Sequence, residues 1–66
     1  MKLNKNKLDL IRARKCAQLK DIAAAAGVST ATIQKGYKRD IAPECIGKIA
    51  KALNVDVEEI IVKEGE

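Results

Sequence analysis

The stretch IAAAAGVSTATI (residues 22–33) decides the fold of this chain. The residues before Gly27 place apolar side chains at the i, i+1 and i+4 spacing of one helix face. Gly27 stands where a helix would end in the left-handed conformation, which glycine adopts at low cost. Ser29 is a favoured N-cap residue, and it precedes a second apolar anchor, Ile33. The stretch therefore predicts two short helices joined by a tight turn.

Signals on both sides of this stretch predict three further helices and no convincing strand. Asn6 is the expected N-cap of the first helix, and Gly36 is expected to weaken or end the third. Pro43 suits the first turn of the fourth helix, and Asp56 has the capping-box spacing that opens the fifth. The predicted helices cover about residues 7–15, 19–26, 30–35, 43–53 and 57–62. The fold class is thus all-α, a compact bundle of about five short helices.

The length of 66 residues allows one domain, residues 1–66. We expect residues 1–5 to form a loose basic arm and residues 63–66 to form a frayed tail. The apolar stretch at residues 22–28 is far shorter than the ~20 residues of a membrane span. The chain opens with Met-Lys and no apolar signal segment, so we expect a cytoplasmic protein without a membrane association.

The composition argues against an enzyme and against a metal site. The chain has no His and two Cys, Cys16 and Cys45, which lie far apart and outside any CxxC pattern. Two such residues cannot supply the four ligands of a zinc site. We expect buried thiols rather than a redox pair, and we expect no cofactor and no small-molecule ligand.

The charge is divided along the chain. Residues 1–20 carry seven Lys or Arg against one Asp, whereas residues 40–66 carry three Lys against seven acidic residues. A basic front half suits a polyanion such as nucleic acid, and an acidic back third suits a different partner. Ordinary solvated helix faces would give the same pattern, so charge alone does not decide.

Two short helices joined by a turn with a glycine form a helix-turn-helix unit. The pattern resembles the Cro/repressor-type signature (the XRE-like, lambda-repressor-like domains). The resemblance continues outside the motif, into the first, fourth and fifth predicted helices. The matching residues are Ala23, Gly27, Val28, Ser29, Thr32 and Ile33 in the motif, with Leu8, Ile11, Arg12 and residues 48–55 and 58–61 around it.

Four positions depart from the family pattern. Gln18 and Leu19 stand where many members open the second helix with Ser-Gln. Cys16 stands where the family often has Gly. Gly36 stands where a large apolar residue is usual, so that Tyr37 would pack there in its place.

The resemblance implies a transcription regulator that occupies an operator in double-stranded DNA through the third helix. A solvated helix face is the alternative for each polar residue of that helix. The residues implied as base contacts are Thr30, Ala31, Gln34 and Lys35. The residues implied as phosphate contacts are Ser29, Thr32, Lys38 and Arg39, joined by the lysines of the basic arm.

The same resemblance implies a homodimer contact at Ile60, Ile61 and Val62. These residues would otherwise close the core of the monomer, and the sequence leaves both readings open. A second function remains open as well. The fold could serve as a protein-interaction module, an antitoxin or an adaptor, whose acidic face binds a protein.

Overall fold

The computed structural model describes residues 1–62, and the predicted tail at residues 63–66 lies outside them. Four α-helices and one short 3-10 helix follow one another along this part of the chain. The described residues form no strand beyond an isolated antiparallel bridge between Leu3 and Ile61. The all-α prediction is confirmed. The elements are α1 (Lys5–Lys15), α2 (Leu19–Ala26), α3 (Thr30–Lys38), α4 (Pro43–Leu53) and the 3-10 helix (Val57–Glu59).

Helix α1 begins two residues earlier than predicted. The side chain of Asn4, and not that of Asn6, caps it, because Asn4 Oδ1 accepts a hydrogen bond from the Lys7 amide at 3.1 Å. The helix ends at Cys16, which takes the left-handed conformation at φ 52°. Asp9 therefore lies in the interior of α1, where it forms ion pairs with Lys5 and Arg12.

The motif at residues 22–33 folds as predicted. Gly27 ends α2 with φ 73°, and the Val28 amide donates back to the Ala23 carbonyl at 3.0 Å. Ser29 Oγ accepts from the Thr32 amide at 3.1 Å and so caps α3. The prediction that Gly36 ends α3 is wrong, because the helix continues through Gly36 to Lys38.

Helix α4 begins at Pro43 and ends before Asn54, which takes the left-handed conformation at φ 57°. The Asp56 amide donates to Glu59 Oε2 at 3.0 Å, as the capping-box spacing predicts. The helix that follows is a single 3-10 turn and stops at Glu59, so the predicted extension to Val62 is wrong.

The core lies where α2 packs against α4 and α3, with the 3-10 helix against α4. Small alanines on α2 let the helices approach closely. Among residues 1–62, the twelve buried apolar residues are Leu3, Leu8, Ile11, Ile22, Ala23, Ala26, Ile33, Ile46, Ile49, Ala50, Leu53 and Ile60.

The N-terminal residues do not form the predicted loose arm. Leu3 is 1% exposed and belongs to the core. Its amide donates to the Gly36 carbonyl at 2.8 Å, and the Asn4 amide donates to the Ile60 carbonyl at 2.8 Å. The N-terminal residues form a short extended segment, which backbone hydrogen bonds hold on both sides. The basic and polar residues around Leu3 give no sign of this segment in the sequence.

Two predictions about burial are also wrong. Leu10 shares a helical stripe with Ala13 and Ala17, a spacing that predicts a place on the apolar face of α1, yet its side chain is 60% exposed. Cys16 is exposed and Cys45 is partly buried, so the expectation of two buried thiols fails. Cys16 is exposed because it ends α1 at the turn into the next helix.

Candidate nucleic-acid interface

One exposed face of α3 presents the side chains that DNA recognition would use. Ala31, Gln34, Lys35, Lys38 and Arg39 line one shallow depression on the surface. The three residues Ala31, Lys35 and Lys38 follow the i, i+4, i+7 spacing of one helix face. Ile33 on the opposite face is fully buried and fixes the helix to the core. The structure thus brings together five of the eight predicted contact residues.

The other three predicted residues lie at the start of the same helix. Ser29 and Thr30 are exposed, and Thr32 is half-buried. The Ser29 and Thr32 hydroxyls lie 2.9 Å apart and share one hydrogen bond. Each hydroxyl carries a single hydrogen, so the mutual bond uses one of the two hydrogens, and either oxygen can be its donor.

The depression is cationic. Lys35, Lys38 and Arg39 make no ion pair with any of residues 1–62. Asp40, which follows them, lies 3.7 Å from the N-terminal ammonium of Met1 and pairs with that group instead of with these three cations. Three exposed cations on one helix end give a local positive potential, which attracts a polyanion.

The comparison with protein families decides the identity of this fold. The model of the Cro/C1-type HTH DNA-binding domain matches residues 7–66. This chain belongs to that family. Neither the curated proteins nor the solved structures give a significant match. The family is one of DNA-binding domains, which supports double-stranded DNA as the partner of this chain.

Tyr37 adjoins this face and turns inward. The ring is half-buried and packs against the core, and its burial raises the pKa of the phenol, with the charge of Asp9 adding to the effect. The side chains of Leu3 and Ile41 occupy the space directly over Gly36.

The lysines of the N-terminal segment have other neighbours. Lys5 Nζ pairs with Asp9 at 3.1 Å, and Lys7 Nζ donates to the Ile61 carbonyl at 3.5 Å. These contacts place both ammonium groups beside α1 and the C-terminal segment. The structure does not bring them to the depression on α3, so they do not extend that surface.

The three residues predicted for a dimer contact have different exposures. Ile60 is fully buried and closes the core of the monomer, which removes it from any surface a second copy could reach. Ile61 is half-buried, and Val62 is 41% exposed. Leu10 lies on the same side of the domain, because Lys7 adjoins both Leu10 and Ile61.

Over residues 1–62, no helix has the length and apolar character that crossing a membrane requires. Within the same part of the chain, no group of three or more potential ligands comes together as a metal site. The feature that the sequence analysis missed is Leu3. Two features of the sequence together could have indicated it. Leu3 is a single apolar residue among polar neighbours, and Gly36 stands where the family has a large side chain.

Proposed function

We propose that the protein is a transcription regulator that occupies a specific DNA operator by placing α3 in the major groove. The observation that carries this proposal is the cationic depression on α3 in a chain of a DNA-binding family. The major groove is wide enough for an α-helix, and its base edges differ for every base pair. Transcription is regulated when the bound protein excludes or recruits the polymerase at that site.

The residues of α3 divide into two roles in this proposal. Lys35, which lines the depression, donates to a guanine edge, while the methyl groups of Thr30 and Ala31 contact a thymine methyl. Gln34 has both a donor and an acceptor and can read an adenine. The residues that bind phosphates are Ser29, Thr32, Lys38 and Arg39.

The test measures sequence preference and salt dependence together. A pool of random duplexes is selected on the purified protein, and the selected duplex is compared with a scrambled one by fluorescence anisotropy. Lys35→Ala should relax the preference by about 1–3 kcal/mol at one base pair. Lys38→Ala should weaken binding to both duplexes equally. It should also reduce the steepness with which log affinity falls against log salt concentration, which we call the salt slope, by about 0.9.

Lys51→Ala is the matched control, because Lys51 is an exposed lysine on α4 outside the depression. It should leave both quantities unchanged. If the wild-type protein shows no binding even at low salt, the regulator is rejected. The protein-interaction module with an acidic face would then be the function to test, by pull-down with the folded domain.

We further propose that the regulator binds DNA as a homodimer through a patch formed by Leu10, Ile61 and Val62. Leu10 and Val62 are apolar side chains that are 60% and 41% exposed, and Ile61 next to Val62 is half-buried.

A dimer would also set two copies of α3 about 34 Å apart, one turn of DNA. Sedimentation equilibrium of the wild type and of Leu10→Asp tests this proposal. Only the wild type should form a dimer at micromolar concentration. Ala24→Asp is the control, since it changes an exposed apolar residue on α2 away from the patch. A wild type that remains monomeric at all concentrations contradicts the dimer.

A further inference from the structure

Residues 1–4, which we call the N-terminal strap, join the end of α3 to the C-terminal segment. One hydrogen bond joins the strap to α3 and one to the segment that follows it: the Leu3 amide donates to the Gly36 carbonyl at 2.8 Å, and the Ile41 amide donates to the Met1 carbonyl at 2.7 Å. Two more face residues 60–62, one from the Asn4 amide at 2.8 Å and one to the Lys2 carbonyl at 2.9 Å. Successive residues bond to opposite sides, as in an extended strand.

The strap satisfies a backbone group that α3 cannot satisfy by itself. The last four carbonyls of a helix have no partner within it, and Gly36 lies in the last turn of α3. The Leu3 amide supplies the partner for that carbonyl. Since a helix of nine residues is marginal in isolation, the position of its last turn depends on such tertiary contacts.

The side chain of Leu3 occupies the space that a side chain at position 36 would take. A Cβ built on Gly36 would lie 2.8 Å from Leu3 Cδ1 and 3.0 Å from Ile41 Cδ1. Leu3 is 1% exposed, so little room remains around it. Leu3 therefore holds the last turn of α3 by direct packing on its backbone.

That turn carries much of the cationic depression. Lys35 and Lys38 flank Gly36, and Arg39 is the C-cap residue of the helix. We propose that Leu3 is a positioning residue for DNA recognition, which fixes the end of α3 so that these cations meet the DNA in one arrangement. The proposal rests on the proposed function. It assigns the positioning of the last turn of α3 to the strap, which lies outside the motif at residues 22–33.

The experiment compares Leu3→Ala with Leu8→Ala. Leu8 is a leucine of the same burial on α1, so its loss destabilises the core without touching the end of α3. Both variants are measured at a temperature at which circular dichroism shows them fully folded. Leu3→Ala should lower the affinity ratio of the selected to the scrambled duplex about tenfold, as expected when one base contact is lost.

The salt slope provides a second reading, which a general loss of stability would not change. Leu3→Ala should lower the slope by about two, because the phosphate contacts of Lys38 and Arg39 would be lost together. Leu8→Ala should retain both the ratio and the slope. If Leu3→Ala does not fold at any temperature, Leu3→Val, which keeps most of the buried volume, replaces it.

A rescue variant tests the packing itself. Leu3→Ala combined with Gly36→Leu moves the apolar side chain from the strap to α3, and it should recover most of the affinity ratio. If the folded Leu3 variant keeps the wild-type affinity ratio and salt slope, the proposal is overturned. It is also overturned if the double variant folds but does not recover the affinity ratio. A wild type that lacks any sequence preference is a different result and contradicts the proposed function itself.

Discussion

Two glycines in helices should respond differently to the same substitution by alanine. Gly36 lies in α3 and Gly47 in α4, and neither has a positive φ. An alanine in the interior of a helix is more favourable than a glycine by about 0.8–1.0 kcal/mol. Conformation alone therefore predicts that Gly36→Ala and Gly47→Ala both stabilise the protein by about that amount.

The surroundings of the added methyl group separate the two variants. A Cβ at Gly47 has no atom within 4 Å, so the conformational gain stands. A Cβ at Gly36 would lie 2.8 Å from Leu3 Cδ1, 3.0 Å from Ile41 Cδ1 and 3.2 Å from Leu3 Cγ. Because Leu3 is buried and two side chains must move together, we expect the overpacking to cost about 1–3 kcal/mol.

The difference between the two variants isolates the overpacking, since the conformational gain cancels. We expect Gly47→Ala to raise the free energy of unfolding by about 1 kcal/mol, and Gly36→Ala to lie about 1–3 kcal/mol below it. Urea denaturation followed by circular dichroism at 222 nm gives both values, and equal m-values would exclude a change in the unfolded state. Equal stabilisation by the two alanines would refute the close packing of Leu3 on α3.

Further expectations concern the ends of the helices and the charges of α1. Cys16→Gly should stabilise the domain by up to about 1 kcal/mol, because glycine accepts the left-handed conformation that Cys16 adopts, and a thermal melt should show a rise of several degrees. Gly27→Ala should destabilise by about 1 kcal/mol although its Cβ would touch nothing, and a result near zero would mean that the turn relaxes freely. The hydrogen bond from Lys5, together with that from Arg12, lowers the pKa of Asp9 in the folded protein. The stability that Asp9 contributes is therefore present above its unfolded pKa and should be lost as the pH falls through its folded pKa. The loss should be small, since Asp9 is 39% exposed at its side chain, and it should be absent from urea titrations of Asp9→Asn.

The sequence predicts the parts of this fold that depend on local chemistry. Gly27, Ser29 and Pro43 act on residues within one turn of themselves, so the boundaries that they set are confirmed. The start of α1 is less certain from sequence, because Asn4 and Asn6 are both capable caps. The structure selects Asn4, since Leu3 must enter the core directly before it.

The parts that the sequence does not predict depend on contacts between distant residues. Gly36 has the sequence signature of a helix end, yet α3 continues because Leu3, thirty-three residues earlier, packs on it and bonds to its carbonyl. The 3-10 helix stops at Glu59 for a similar reason: Ile60 enters the core and Ile61 pairs with Leu3. The periodicity of a short segment cannot reveal such pairings, because an extended strap of four residues is too short to show alternation.

The strap also explains how so small a domain can hold the nine-residue helix α3 in place. A chain of this length buries only about 60% of its unfolded surface, so it has few side chains to spare for fixing a helix that must keep one face exposed. The buried face of α3 offers Ile33 and Gly36. A glycine contributes no apolar surface of its own, but it lets a leucine from elsewhere approach the backbone. The strap supplies that leucine and the hydrogen bond with it, so that the last turn of α3 is held from behind while its cations remain on the surface.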